Sequence, residues 1–239
     1  RAFPQDHPWH LVVNFTGPHN PMDVTTSMRL RWANIDFPEP HANDEPDRQG
    51  LLRNQQNYAA MIENIDTHVG RFLAEVEARG ELDNTIVVYA SDHGEMLGDH
   101  GRWGKNTWHH PSAGVPLIVA GPGAQTGIVS DEPVVLHDLS ASFIDWAQGA
   151  PLPEMEGRSL RPLLSGEATS HRDYVTSGLK DWRMIYDGRH KLVAHADGRV
   201  HLFDLQNDPH EDEDLTLAAR DLTARMLDLL SAELPNWPR

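Results

Sequence analysis

The chain is organised around a short apolar segment, residues 87–90, that is followed at once by polar residues. Its β-branched side chains are typical of a buried strand, and such a strand delivers the residues after it to the rim of its sheet. Those residues include Asp92 and His93, and a carboxylate beside an imidazole can bind one cation. Gly94 lets the backbone turn sharply so that the two side chains converge. About twelve residues later, Lys105 adds a compact positive charge for an anionic substrate.

The charge balance of the chain argues against a nucleic-acid partner. The 239 residues include 20 Lys and Arg against 36 Asp and Glu, which gives a formal net charge of −16. Such a field repels nucleic acid and anionic membrane, so an anionic substrate needs a metal ion or a few well-placed cations. The sequence contains no cysteine, which excludes disulfides and Cys-ligated zinc.

No apolar run is long enough to cross a bilayer and none resembles a signal peptide, so we expect a soluble protein without a membrane span. The sequence leaves the oligomeric state open, as well as the choice between a cytoplasmic and a periplasmic or secreted location. Arg1 stands where an initiator Met is usual, and the first apolar segment reads as a strand internal to a sheet. We therefore expect the chain to be a fragment.

The first part of the chain predicts one strand, one loop and one long helix. Leu11–Phe15 reads as a buried strand, and the loop after it holds His19 between two prolines. Between residues 51 and 79, apolar residues recur every three or four positions, which predicts a long amphipathic helix. Gly80 is placed to end it.

The middle of the chain predicts a sheet covered by helices. Residues 86–90 and 115–120 are apolar runs that read as strands. The alternation of helix and buried strand is typical of a parallel sheet. A further helix is expected from His137 to about Ala147, with Asp138 as its N-cap.

After residue 166 the pattern changes to short strands and tight turns. Strand candidates lie at residues 174–179, 183–186, 191–194 and 200–203, and Asp-Gly pairs between them favour hairpins. The acidic run 208–214 is expected to be a solvated turn, and the apolar spacing from Leu215 to Leu230 predicts a last helix. We therefore divide the chain into an α/β core, residues 1–166, and a small sheet with a helix, residues 167–239.

Several of these elements together resemble the central signature of the sulfatase family within the alkaline phosphatase superfamily. The resemblance is carried by residues 85–95, Gly98-Asp99-His100-Gly101, Lys105, Val115-Pro116-Leu117-Ile118 and Gly121-Pro122-Gly123. Pro18-His19-Asn20-Pro21 is similar to the histidine loop that contacts substrate in that family, and residues 157–160 and 202–211 are similar to later segments. The resemblance covers nearly the whole chain, but only the second half of such an enzyme.

The resemblance implies a fold and a role for each candidate residue. The fold would be alkaline-phosphatase-like, a mixed and mostly parallel sheet flanked by helices, plus a small C-terminal antiparallel sheet with a packed helix. Asp92 and His93 would ligate one divalent cation, with Ca²⁺ favoured and Mg²⁺ or Mn²⁺ as alternatives. Lys105 would contact the sulfate group, and His19 would bind the sulfate or protonate the leaving oxygen.

His109 and His110 would be further substrate contacts, acting as hydrogen-bond donors near the anion. Many relatives carry a Glu near His110, so this part of the pocket departs from the family pattern. Glu95 and Asp99 would be either partners of the ligating histidine or exposed loop acids.

The resemblance also implies a nucleophile that this sequence does not contain. In the family it is a formylglycine hydrate, made from Cys or Ser in a Cys/Ser-x-Pro-x-Arg motif, and two further Asp ligands lie near the N-terminus. Neither feature is found in the 239 residues. The expected function is metal-dependent hydrolysis of a small-molecule or saccharide sulfate monoester, with this chain inactive by itself.

Two other functions fit the same residues. A related enzyme could hydrolyse phosphonate monoesters or phosphodiesters, because these present a similar tetrahedral anion. A non-catalytic binding module could retain half a site. For the residues themselves there are plainer alternatives: Asp92 could bond the backbone in a turn, Lys105 could be a solvated surface charge, and His19 could cap its loop.

Overall fold

The computed structural model describes residues 7–42 and 47–234, which divide after Leu82 into two compact units. The first unit contains helix α1, Thr26–Leu30, and the long helix α2, Arg48–Ala78. The Asp47 carboxylate accepts a hydrogen bond of 2.9 Å from Gly50 N at the start of α2. At its end, Gly80 has φ +70° and donates its N–H to Glu77 O at 2.8 Å. The predicted long helix is thus confirmed, and it begins three residues earlier than expected.

The predicted strand Leu11–Phe15 is wrong. These residues form no strand, and the Val12 side chain is 63% exposed. A strand needs a neighbour to satisfy its N–H and C=O groups, and no strand is present among the described residues of the first unit. The apolar pattern therefore indicates β-propensity, but the described residues of the first unit offer no neighbouring strand with which Leu11–Phe15 could pair.

The second unit begins with a two-stranded sheet. Strand β1, Val87–Ala90, pairs antiparallel with β2, Leu117–Ala120, and Ala90 lies opposite Leu117. Both predicted strands form, and an antiparallel pair is compatible with the expected mixed, mostly parallel sheet. A parallel partner requires the chain to travel back along the sheet, and residues 91–116 contain only a 3₁₀ turn and the four-residue helix α3, His110–Ala113. The connection therefore stays at the carboxyl end of β1.

Helix α4, His137–Trp146, confirms the predicted helix, but Asp138 is not its N-cap. The cap position is Leu136, and Asp138 lies fully buried in the first turn. Its carboxylate accepts hydrogen bonds from Val135 N at 2.9 Å and Arg158 N at 2.8 Å, and it contacts the side chains of His171 and Arg172. A buried carboxylate needs this many partners, and here they join α4 to residues 158–172.

A four-stranded antiparallel sheet completes the second unit. Its strands, in spatial and sequence order, are β3, Val175–Leu179, β4, Trp182–Tyr186, β5, His190–His195, and β6, Val200–Asp204. Short helix α5, Arg161–Ser165, precedes it and helix α6, Arg220–Glu233, packs on it. The core between sheet and α6 comprises Ile185, Leu192, Ala194, Leu202, Met226 and Leu230. The predicted small sheet with a packed helix is confirmed, while the proposed boundary at residues 166 and 167 stays a prediction.

The helices offer no candidate for a membrane span. Within residues 7–42 and 47–234, none combines the length and the apolar run that a bilayer crossing needs.

Leu192→Ala should lower the free energy of unfolding by about 2–5 kcal/mol, because the side chain is fully buried between the sheet and α6. Leu217→Ala is the matched control, because Leu217 is 78% exposed and should cost no more than about 0.5 kcal/mol. Urea unfolding of the two variants measures the difference. Equal losses would mean that α6 does not form the core described.

Candidate functional site

The two predicted metal ligands lie side by side where β1 ends. The Asp92 side chain is 85% exposed, and its Oδ2 is 3.7 Å from Nε2 of His93. Nδ1 of His93 is 2.8 Å from Gly94 O, and since a carbonyl only accepts, the ring proton sits on Nδ1. In the neutral ring, Nε2, on the side of the Asp92 carboxylate, then carries the lone pair. This is the tautomer that an imidazole needs in order to ligate a metal through Nε2.

The donor set fits part of a divalent-cation site. An oxygen and a nitrogen 3.7 Å apart can both reach one cation at the roughly 2.3–2.6 Å typical of calcium ligands. Such a cation takes six to eight ligands, and no group of three or more His, Asp or Glu side chains is arranged to hold a metal within residues 7–42 and 47–234. If a cation binds here, Asp92 and His93 would therefore supply two ligands of a larger set.

Gly94 allows the segment that contains Asp92 and His93 to pack tightly against α3. Its N–H donates to Ser112 O at 2.9 Å, and a Cβ at this position would lie 2.0 Å from Pro111 O. The φ of Gly94 is not positive, so the sharp turn expected of it is not the reason for glycine. Glycine is required because two backbone segments approach too closely for any side chain.

A closed loop connects the ligand segment to Lys105. The Glu95 carboxylate accepts Gly104 N at 2.5 Å and Leu97 N at 3.2 Å, and Met96 N donates to Gly104 O at 2.9 Å. Lys105 therefore directly follows Gly104, which these hydrogen bonds hold to the segment just after Asp92 and His93. Glu95 is half-buried and its hydrogen bonds close this loop. The alternative that Glu95 is an exposed loop acid is therefore wrong.

His19 belongs to the first unit, in an exposed loop between Pro18 and Pro21. Its Nδ1 is 2.6 Å from Asn20 O, so Nδ1–H donates to that carbonyl. Its substrate role stays a prediction.

His109 is buried within a group of aromatic rings. Its ring stacks on Trp108 with centroids 3.8 Å apart and lies 4.6 Å from the ring of His100, and Nδ1 shares a 2.6 Å hydrogen bond with Thr107 Oγ1. Burial, reinforced by the positive charge of neighbours including Lys191, lowers the pKa of His109 to about 3. The ring is therefore neutral at physiological pH, which suits a hydrogen-bonding role better than an ionic one. The substrate contacts proposed for His109 and His110 stay predictions.

A buried ion pair, which the sequence analysis did not predict, holds residues 108–110 in place. Lys191, the second residue of β5, and Glu211 are 2% and 5% exposed and form a direct ion pair. Lys191 Nζ also donates to Trp108 O at 2.8 Å, and Glu211 Oε2 accepts His110 N at 2.6 Å. Burial lowers the pKa of Lys191 to about 7.

The expectation that residues 208–214 form a solvated turn is therefore wrong for Glu211. Asp214 is also engaged, because its carboxylate accepts Leu202 N at 3.2 Å and contacts His201 Nδ1 at 2.9 Å. The available signal was Lys191 itself, a lysine within an apolar strand, since a buried ammonium group requires a partner of opposite charge.

Comparison with known proteins gives a consistent result. The family model "Sulfatase" matches residues 2–150, and the model "N-sulphoglucosamine sulphohydrolase, C-terminal" matches residues 98–235. An arylsulfatase of Clostridium perfringens is 30% identical over 235 residues, which cover 85% of this chain and 48% of the relative. The chain thus spans about half the length of the curated relatives that it matches.

Two solved structures bear on fold and chemistry. A putative sulfatase from Bacteroides fragilis superposes with a TM-score of 0.84 at 24% identity, over 97% of this chain and 54% of that one. This likeness confirms the predicted alkaline-phosphatase-like fold. A phosphonate monoester hydrolase from Silicibacter pomeroyi gives a TM-score of 0.69 at 30% identity, over 80% of this chain and 42% of that one.

Glu211→Gln should lower the free energy of unfolding by about 3 kcal/mol at pH 6, below the pKa of Lys191, because it leaves a charged Lys191 buried without its counter-charge. Adding Lys191→Met should recover much of this loss, since the amide still accepts His110 N–H. Arg161→Gln breaks an exposed ion pair and should change stability by less than about 1 kcal/mol. If Glu211→Gln costs no more than Arg161→Gln in urea unfolding, the ion pair does not hold the loop.

Stability should fall as the pH drops from about 6.5 towards 3, in part because of His109. Its pKa of about 3 in the folded state is below the ordinary value of 6.5, so the unfolded chain binds its proton first. This adds up to about 1.4 kcal/mol per pH unit to the slope over that window. In His109→Asn, urea unfolding across this range should show a shallower slope, and an unchanged slope would place His109 in contact with solvent.

Proposed function

Because the chain belongs to the sulfatase family, we propose that it forms part of a metal-dependent hydrolase of sulfate monoesters. The observation that carries the proposal is the pairing of Asp92 Oδ2 and His93 Nε2, 3.7 Å apart, beside the fastened loop that leads to Lys105. The substrate would be a small molecule or a saccharide. The match to the C-terminal N-sulphoglucosamine sulphohydrolase model favours a sulfated sugar.

Asp92 and His93 would hold a divalent cation, with Ca²⁺ favoured and Mg²⁺ or Mn²⁺ as alternatives, since a carboxylate and an imidazole suit all three. When bound, the cation supplies a Lewis acid for the anionic oxygens of the ester. The 2.8 Å hydrogen bond to Gly94 O keeps the His93 ring from rotating away.

Lys105 would pair with the sulfate oxygens, because a compact ammonium group is a good partner for a tetrahedral anion. His19 would bind the sulfate or give a proton to the leaving oxygen. Its Nδ1 donates to Asn20 O, so Nε2 is the atom that would face the substrate, and it must be protonated to act as an acid.

The nucleophile would come from polypeptide outside these residues. The 239 residues contain no Cys/Ser-x-Pro-x-Arg motif, from which formylglycine is made in the family. Two further Asp ligands would complete the cation site from the same source. We therefore expect no sulfate-ester turnover by this chain alone, and turnover by the purified chain would contradict this assignment.

Hydrolysis of phosphonate monoesters or phosphodiesters is a second candidate, and it is favoured by the 30% identity to the phosphonate monoester hydrolase. Sulfate and phosphonate esters present similar tetrahedral anions to the same cation and lysine. Comparing kcat/KM for an aryl sulfate and an aryl phosphonate distinguishes the two. Coding sequence for the nucleophile motif upstream of Arg1 would exclude a non-catalytic binding module.

Asp92→Asn and His93→Ala should each lower bound metal about ten-fold or more, together with the rate, in a protein that also carries the family's N-terminal part. Lys105→Ala should leave metal in place and raise KM about ten- to a hundred-fold, because only the anion loses a partner. Metal analysis and steady-state kinetics measure both effects.

Lys180→Asn is the matched control for Lys105. Lys180 is exposed, and its φ of +51° is one that asparagine tolerates, so neither metal content nor KM should change. Normal metal content in the Asp92 and His93 variants would show that the ligand assignment is wrong.

A further inference from the structure

Lys105 lies in a short stretch of backbone that is held at both ends. Gly104 precedes it and donates its N–H to the Glu95 carboxylate at 2.5 Å. Shortly after it, Trp108 O accepts a hydrogen bond of 2.8 Å from Lys191 Nζ. Each residue between the two attachments adds only two soft backbone dihedral angles. The two attachments together therefore restrict where the backbone of Lys105 can lie.

The second attachment comes from the buried ion pair between Lys191 and Glu211. The Glu211 carboxylate also accepts a hydrogen bond of 2.6 Å from His110 N, so both members of the pair bind the loop backbone. Within the loop, the buried Thr107 hydroxyl shares a 2.6 Å hydrogen bond with Nδ1 of His109. A displacement of the ion pair would therefore be passed on towards Thr107.

The backbone on both sides of this contact adopts conformations that are uncommon for residues other than glycine. Glu211 has φ +62°, and Asn106, which directly follows Lys105, has φ +77°. Asparagine tolerates this region, whereas for glutamate it is unfavourable. Such a conformation persists where the surrounding contacts enforce it, and it is most often found at functional sites. Here it places the Glu211 carboxylate within reach of both His110 N and Lys191.

Stability alone is a poor explanation for a buried pair of charges. Removing both groups from water costs nearly as much as their attraction returns, and apolar residues of similar volume often stabilise a fold equally well. A pair of charged groups with further hydrogen bonds adds direction, because each group bonds a particular atom. Lys191 donates to Trp108 O, and Glu211 accepts from His110 N, so the pair fixes the loop at two backbone atoms.

We propose that Lys191 and Glu211 are positioning residues, which determine the place of Lys105 and thereby the affinity of the site for a tetrahedral anion. Neither would touch the anion, because they are 2% and 5% exposed and are engaged with each other. The inference rests on the proposed function for the anion contact of Lys105. It extends that function by assigning control of the contact to an ion pair on the C-terminal sheet.

The test uses a protein that also carries the family's N-terminal part, with Ca²⁺ present and at a pH below the Lys191 pKa of about 7. The paired variant Lys191→Met/Glu211→Gln removes both charges, and its amide still accepts His110 N–H, so it should fold. It loses the hydrogen bond to Trp108 O. Calorimetry with inorganic sulfate should therefore show about ten-fold weaker binding, which is the effect of one charged hydrogen bond.

Kinetics with an aryl sulfate should show the same change at the ester site. In the paired variant, KM should rise by a factor similar to the loss of sulfate affinity, because the anion contact is displaced. The value of kcat should change less than KM, and the amount of bound metal should not change, because Asp92 and His93 stay in place.

A double-mutant cycle with Lys105→Ala separates positioning from a general loosening of the fold. If the pair acts through Lys105, adding Lys191→Met/Glu211→Gln to Lys105→Ala should weaken sulfate binding no further. A merely structural role would weaken binding by the same factor with or without Lys105. Arg189→Gln is the matched control, because it breaks an ion pair with Asp204 at the end of the same sheet. It should lower stability in urea and leave sulfate affinity unchanged.

Glu211→Asp is a second variant of the pair that keeps both charges. Aspartate tolerates the φ of this position, so the protein should fold. Its carboxylate is one methylene shorter, so the contacts to Lys191 and His110 N should lengthen. Sulfate binding should then weaken by about two- to five-fold.

Three results would overturn the proposal: unchanged sulfate affinity in a folded variant of the pair, equal weakening in Arg189→Gln, or the same factor of loss in the Lys105→Ala background. Sulfate binding that does not depend on Lys105 would also overturn it, since there would be no contact to position. Sulfate affinity that depends on Lys105 and on the pair, found together with no ester hydrolysis by the complete protein, would refute the proposed function and leave the positioning role standing.

Discussion

The buried ion pair between Lys191 and Glu211 is the interaction on which the second unit depends. It joins β5 to the acidic segment before α6. Both partners also form hydrogen bonds with the loop before α3, through Trp108 O and His110 N. Two charges removed from water need each other and further hydrogen bonds, and the loop backbone supplies those bonds. The four-stranded sheet therefore holds Trp108 and His110 in place, and the core that it forms with α6 stabilises the sheet.

Further hydrogen bonds then connect this loop to the segment that contains Asp92 and His93. Glu95 and Met96 fasten Gly104, and the bond from Gly94 N to Ser112 O presses the ligand segment against α3. The anion contact proposed for Lys105 and the cation proposed for Asp92 and His93 would act together only if their spacing is fixed.

Local patterns predicted the elements that local physics determines. Helix α2, the strands of the C-terminal sheet and the adjacent Asp92 and His93 follow from periodicity, turn residues and motif spacing. Contacts distant in sequence were not predictable in this way: Leu11–Phe15 forms no ladder, β1 and β2 pair antiparallel, and Glu211 is buried against Lys191, 20 residues away in the chain. The close approach at Gly94 likewise depends on which segments meet in the fold, and composition does not predict that.

The central claim is that Asp92 and His93 share one cation. Anomalous scattering from Mn²⁺, in crystals of a protein that also carries the family's N-terminal part, tests it most directly. The account predicts a single peak within about 2.5 Å of both Asp92 Oδ2 and His93 Nε2, with Nδ1 of His93 still bonded to Gly94 O. A peak bound elsewhere, or a His93 ring turned so that Nε2 faces away from it, would contradict the account.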